Sequence, residues 1–198
     1  KPENDKTLVQ NSENINEVES HELVQIETDH GNILLYLHPE TPIHKKAFLD
    51  LVNEGYFNGQ SFNRVIDGFV IQGGCPDPSD YSNGGLWEDT SMFIPAEFHE
   101  HLKHKPGALG GGRDNNTKMM TNPCQFYICD STDRDLSRLD MKYTIFGFVI
   151  EGMDVVQLIS ELSTDKHNAP IEPVTMNASV VVLSESELNQ YFEKLDRQ

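Results

Sequence analysis

The chain has 198 residues, with 15 Lys and Arg against 32 Asp and Glu, for a formal charge of −17. No basic cluster of the kind that holds phosphates occurs along the sequence, which argues against nucleic-acid binding and leaves solubility as the simplest role for the charge. No apolar run approaches the roughly 18 residues of a membrane span, and the length suits one compact domain with tails.

Residues 1–20 contain no aromatic and only four aliphatics. Such a segment cannot bury enough apolar surface to offset its ordering entropy, so residues 1–21 read as a disordered polar leader, with the folded domain expected over 22–183. Two β-rich runs follow, Leu23 to Glu27 and Ile33 to Leu37, separated by Asp29-His30-Gly31-Asn32, and predict a hairpin. Thr41 then supplies an N-cap and Pro42 a first-turn proline. Ile43, Ala47, Phe48, Leu51 and Val52 recur at helical spacing until Gly55 closes the segment. From Ser61 the pattern returns to short strands, Phe62 to Ile66 and Phe69 to Gln72. Cys75 to Phe93, rich in Pro, Asp, Ser and Gly, reads as a long loop holding the single tryptophan, Trp87. Further strands are predicted at Gly107 to Gly112, Gln125 to Cys129, Thr144 to Ile150 and Ala178 to Leu183. A short helix after Gly152 places Val155, Val156 and Ile159 inward. Many short strands with two internal helices predict an antiparallel barrel. Residues 184–198 place Leu188, Tyr191, Phe192 and Leu195 on one helical face, capped by Ser184 or Ser186. That helix would pack on the domain's own surface or, less favoured, bind a partner.

The chemistry concentrates in two segments, FNRVIDGFVIQGG from Phe62 and QFYI from Gln125. Alternation puts Phe62, Arg64 and Ile66 on one face of a strand, and Phe69 and Ile71 on one face of the next. An arginine among apolar strand positions is costly unless a ligand or an acid partners it. Taken alone, Arg64 would be a salt-bridged structural residue.

The run FNRVIDGFVIQGG resembles the signature of the cyclophilins, and QFYI followed by LDMKYTIFGFVIEGMDVV resembles that family's later motifs, in order and in spacing over about residues 23 to 183. The resemblance implies a mainly β fold, a closed eight-stranded antiparallel barrel capped by two helices, to which this chain adds a C-terminal helix. It implies peptidyl-prolyl cis-trans isomerase activity on proline-containing peptides and unfolded client proteins. A module that docks proline segments without turnover is the alternative. Carried over position by position, Arg64 matches the catalytic arginine and Gln72 the glutamine that orients it. Phe69, Val70, Tyr127 and Leu139 match the walls of the proline pocket. Gly112 and Arg113 match the strand edge that pairs with the peptide, and Tyr143 stands on the rim. No metal or other cofactor is implied, and a monomer is expected. Arg138 stands where many members carry Trp, which predicts weak cyclosporin binding. Asn122-Pro123-Cys124 and the Gly110-Gly111-Gly112 triplet also depart from the family and are expected to loosen the peptide groove. The start at Lys1 and the polar leader resemble exported members tethered to the cell envelope, with a cytosolic protein as the alternative.

Weaker signals are weighed against simpler readings. His99, His101 and His104 near Glu97 could hold a transition metal, but a solvated loop of mixed charge is the better expectation. The glycine triplet lacks the Lys-Ser/Thr of a phosphate loop. Asn115-Asn116-Thr117 and Asn177-Ala178-Ser179 match a glycosylation pattern too short to weigh. Cys75, Cys124 and Cys129 are an odd set without C-x-x-C spacing, so free thiols are expected rather than a disulfide framework.

Overall fold

Alternating apolar residues make the first hairpin: β1 (Ser20–Thr28) and β2 (Gly31–Leu37) pair antiparallel from Val24↔Leu35 to Thr28↔Gly31, with Asp29 and His30 as the turn. The computed structural model describes residues 19–75, 92–113, 116–130 and 134–197. Most of the predicted leader, Trp87 with most of its loop, and Asn115 lie outside the described residues. β1 begins at Ser20, two residues before the expected domain boundary.

Helix α1 spans Pro42–Asn53 with Thr41 at the N-cap position, but the Thr41 side chain caps nothing. The carboxylate of Glu97 does that work instead, accepting from Ile43 N at 3.1 Å and His44 N at 2.9 Å. A carboxylate there satisfies otherwise orphaned N–H groups and sits at the positive end of the helix dipole. The buried face is His44, Phe48, Leu49 and Val52, whereas Ile43, one of the apolar residues at helical spacing, is 49% exposed.

Among the described residues the remaining strands and α-helices are β3 (Arg64–Ile66), β4 (Val70–Gly73), β5 (Ala108–Gly111), β6 (Phe126–Cys129), β7 (Ile145–Glu151), α2 (Met153–Ser160), β8 (Asn177–Ser184) and α3 (Glu185–Leu195), with a 3-10 turn over Ser137–Leu139. All eight strands join one antiparallel sheet in the order β3-β4-β6-β5-β7-β2-β1-β8. The expected eight antiparallel strands are therefore present, but β3 and β8 are edges without a ladder between them, so the sheet is open rather than closed. Irregular segments cross that seam: Phe62 N donates to Val174 O at 3.0 Å, Val65 N to Asn168 O at 2.8 Å, and Ser61 bridges Thr175.

The period of two along the strands sorts side chains onto two sides. Val65, Ile71, Leu109, Phe126, Ile128 and Phe146 face the main core with Phe48, Phe57 and Val156. Their alternates Val70, Ala108, Tyr127, Cys129 and Ile145 form a second cluster with Phe69, Leu139 and Tyr143. Ser184 caps α3 through a capping box with Glu187, and buries Leu188 against Leu23, Leu34 and Ile150. The C-terminal helix thus packs on the domain's own sheet.

Cys75 and Cys124 form a disulfide with Cα atoms 5.2 Å apart, against the expectation of free thiols. The reason is register. β4 and β6 pair as far as Gly73↔Phe126, and two further steps along the same antiparallel register bring position 75 opposite position 124. Cys129 remains a buried free thiol, its pKa pushed up to about 12 by burial, which makes it a poor nucleophile.

Candidate active site

Strand register builds the site. Arg64 of β3 lies opposite Gln72 of β4, Gln72 opposite Tyr127 of β6, and Tyr127 opposite Gly110 of β5. Directly opposed residues share a face, so one rung across three strands carries Arg64, Gln72 and Tyr127 on the side away from the main core. On the next rung Ile66, Val70 and Cys129 face the same way. Gly110 ends the rung because the Tyr127 ring occupies the space its Cβ would fill, with Tyr127 Cε2 only 2.6 Å from that point. Gly112 likewise leaves room for Gln125, whose Cδ would stand 2.7 Å from a Cβ there. The triplet therefore fits the side chains of the groove; loosening is not its role.

Arg64 is half-buried and its Nη1 donates to Gln72 Oε1 at 3.1 Å. Burial draws the guanidinium below its ordinary pKa while Tyr143 pushes it back up, and an arginine so perturbed stays charged. Gln72 thus partners Arg64 without neutralising it. Around this pair a cavity of about 200 Å³ is lined by Phe69, Val70, Gly112, Arg113, Gln125, Tyr127, Leu139 and Tyr143. All nine sequence-predicted site residues meet there, together with Gln125, which opens the QFYI segment but was given no role from sequence. The volume is small beside the ~300–1,000 Å³ of drug-sized pockets; it suits one side chain.

Residues outside the predicted set hold these walls. Phe69 O accepts from Asp130 N at 2.9 Å, and Asp130 Oδ2 accepts from Gly68 N at 3.2 Å and from Ser160 Oγ at 2.5 Å. This fixes the β3–β4 turn that presents Phe69. Beneath the cavity, His104 Nδ1 lies 2.8 Å from Asp140 Oδ1 and its Nε2 lies 2.7 Å from the Tyr127 hydroxyl. A carboxylate can only accept, so Nδ1–H donates to Asp140 and the tyrosine donates to Nε2. Burial lowers the pKa of His104 against the opposing pull of Asp140, and burial raises that of Tyr127 well above its usual value. His44 repeats the scheme, with Nδ1 2.6 Å from Glu97 and Nε2 2.9 Å from Thr121 Oγ1. The predicted solvated loop of Glu97 to Lys105 is thereby corrected: Glu97 and His104 are structural, and His104 is buried. His99 turns to Glu40 O at 2.9 Å and His101 to the Glu40 carboxylate at 3.6 Å. Among the described residues no group of three or more His, Cys, Asp or Glu converges on a metal position.

One assignment at the strand edge shifts. Gly112 N donates to Gln125 O at 2.7 Å and Gly112 O accepts from Asn122 N at 3.0 Å. Its N–H is spent within the protein, and only the second lone pair of its carbonyl remains for a peptide.

Residues 23–181 match the family described as cyclophilin type peptidyl-prolyl cis-trans isomerase/CLD. The chain belongs to this family. Among curated cyclophilin-type relatives, the peptidyl-prolyl cis-trans isomerase ppi1 of Schizosaccharomyces pombe is 36% identical over 163 residues, covering 80% of this chain and 98% of the relative. Peptidyl-prolyl cis-trans isomerase A of Dickeya dadantii is 29% identical, covering 80% and 84%. A crystal structure of a Cryptosporidium parvum cyclophilin, solved in the presence of the dipeptide Ala-Pro, superposes with a TM-score of 0.68 at 29% identity, covering 82% of this chain and 99% of that one. No helix among the described residues is long and apolar enough to cross a membrane.

Proposed function

We propose that this cyclophilin accelerates rotation about X-Pro bonds, with Arg64 stabilising the twisted amide. The supporting observation is a charged guanidinium held by Gln72 at 3.1 Å beside an apolar wall of Phe69, Val70, Tyr127 and Leu139. Amide resonance sets a barrier of ~18–20 kcal/mol, and uncatalysed X-Pro exchange takes tens to hundreds of seconds. Rotation pyramidalises the proline nitrogen and localises its lone pair. A donor placed beside that nitrogen meets an acceptor only in the twisted state, so it lowers the barrier without tightening the ground state. The apolar wall holds the ring while the preceding carbonyl turns.

Arg138 in place of an indole removes a flat apolar wall, which supports weak cyclosporin binding. The same altered rim keeps a binding module without turnover in play. Exchange spectroscopy on a short Ala-Pro peptide separates the two: the isomerase reading requires catalytic amounts of protein to accelerate cis-trans exchange. Shifted Phe69 and Tyr127 resonances without acceleration would make the chain a binding module.

A further inference from the structure

Resting on the isomerase reading, we propose that the site selects proline segments in which a residue flanking the proline carries an anionic side chain, a carboxylate or a phosphorylated hydroxyl. The sequence has five arginines, Arg64, Arg113, Arg134, Arg138 and Arg197, in a chain of formal charge −17. Two of them line one cavity and two more stand by its Phe69 wall. Arg64 and Arg113 line it. The guanidinium groups of Arg138 and Arg134 stand 5.4 and 5.9 Å from the ring centre of Phe69, which forms its wall. Among the described residues the lining contains no carboxylate.

Arginines on so acidic a protein would be expected to pair with its own carboxylates. Arg64 and Arg113, which line the cavity, form no ion pair among the described residues. Arg64 bonds neutral Gln72. Arg113 donates from Nε to Lys142 O at 3.0 Å and from Nη1 to Asn116 O at 3.2 Å, and its guanidinium lies 4.5 Å over the Tyr143 ring. Carbonyls and rings orient a guanidinium while leaving its charge uncompensated. Arg138 has no ion pair among the described residues. Of the nearby acids, Asp140 binds His104, while Asp135 accepts from Ser137 N at 2.9 Å and also feels the charge of Arg138. Asp67 sits in the same turn as Phe69, and its backbone carbonyl accepts from Arg134 Nη2 at 3.2 Å.

The cavity therefore carries local positive potential on a protein whose overall field repels anions. Partly desolvated walls focus such a field, and planar guanidinium groups fit carboxylate and phosphate oxygens in pairs. Arg138 stands by the Phe69 ring and Arg113 by the Tyr143 ring, both in the cavity wall, and the Tyr127 ring meets Tyr143 edge-on at 6.1 Å. A side chain flanking a seated proline would come within reach of one or the other.

The test is kcat/KM by exchange spectroscopy on blocked peptides Ala-X-Pro-Ala and Ala-Pro-X-Ala, with X as Glu, Gln, phosphoserine, Ser or Lys. At low salt, Glu should exceed Gln by roughly three- to tenfold in at least one series, the scale expected for one or two partly exposed charge pairs. Phosphoserine should exceed Ser by more, Lys should fall below Gln, and the ratios should shrink as salt screens the site. A preference for phosphoserine alone assigns the anion as phosphate; one shared by Glu assigns it to either source. In Arg113→Gln or Arg138→Gln the Glu/Gln ratio should fall toward one, a comparison made within each variant and so independent of its absolute rate. Ratios of one in both series, in wild-type protein that turns over the Gln peptides, would overturn the proposal. So would ratios that survive in both variants. Inert Gln peptides would instead overturn the isomerase reading on which it stands.

Discussion

Replacing Tyr127 by Phe removes one oxygen atom, and the structure fixes what that loss leaves behind. The hydroxyl donates at 2.7 Å to Nε2 of His104, whose side chain is fully buried. The imidazole cannot turn to find another donor, because Nδ1 is tied at 2.8 Å to Asp140, which also accepts from His104 N at 2.9 Å. The variant thus strands a buried acceptor lone pair, a loss worth about 1–3 kcal/mol. With a urea m-value of ~2 kcal/mol/M, the unfolding midpoint should fall by about 0.5–1.5 M at constant m. The aromatic wall survives, so turnover of an Ala-Pro peptide should fall far less than stability does. Equilibrium urea unfolding monitored by fluorescence and circular dichroism, with exchange spectroscopy for activity, reads both. A midpoint unchanged within about 0.3 M would refute the view that His104 and Asp140 hold this ring through its hydroxyl.

Gly110→Ala drives a Cβ into the Tyr127 ring; it should cost about 1–3 kcal/mol of stability by overpacking and, unlike Tyr127→Phe, should depress kcat/KM strongly. The buried rings of His44 and His104 titrate below the ordinary value chiefly because burial disfavours their charged form. The unfolded chain binds those protons near pH 6.5, so the stability they contribute is full above that pH and is lost as pH falls through the lower folded pKa values. Thermal unfolding across pH 7.5 to 5 should show the decline, and a His44→Gln, His104→Gln double variant should flatten it. The Cys75–Cys124 link spans a sequence separation of 49, for which loop-closure entropy gives a contribution of about 4 kcal/mol; unfolding with and without a reductant should differ by about 2–4 kcal/mol, and a Cys75→Ser, Cys124→Ser variant should lose that difference.

The fold was legible wherever local periodicity carried it. Alternation marked every strand to within two or three residues, and Pro42, Gly55, Gly152 and Ser184 marked helix ends through local backbone chemistry. The predicted site residues meet in one cavity because Arg64, Gln72 and Tyr127 lie on one rung, a placement set by period and register together. What escaped was the long-range polar wiring. Glu97 capping α1, Asp130 fixing the Phe69 turn and Asp140 anchoring His104 join residues 36 to 62 positions apart; a charged residue in a loop looks solvated until the fold shows what covers it. The disulfide escaped for the same reason, since only the β4–β6 register brings Cys75 and Cys124 together. Closure was not legible for another reason: β3 pairs with β4 on one side, but on the other Val65 N donates to Asn168 O of an irregular segment rather than to β8.

In this mechanism the Arg64 guanidinium acts on the twisted amide and contributes little to holding the ground state. The most direct measurement is kcat and KM for an Ala-Pro peptide in wild type, Arg64→Lys and Arg64→Ala. Loss of a preorganised donor at a developing charge typically costs about 10²–10³ in rate. Arg64→Ala should therefore lose kcat to that order with KM changed little, and Lys should restore it only in part, its point charge being unable both to bond Gln72 and to reach the nitrogen. Equal kcat in wild type and Arg64→Ala, or a defect confined to KM, would contradict this mechanism.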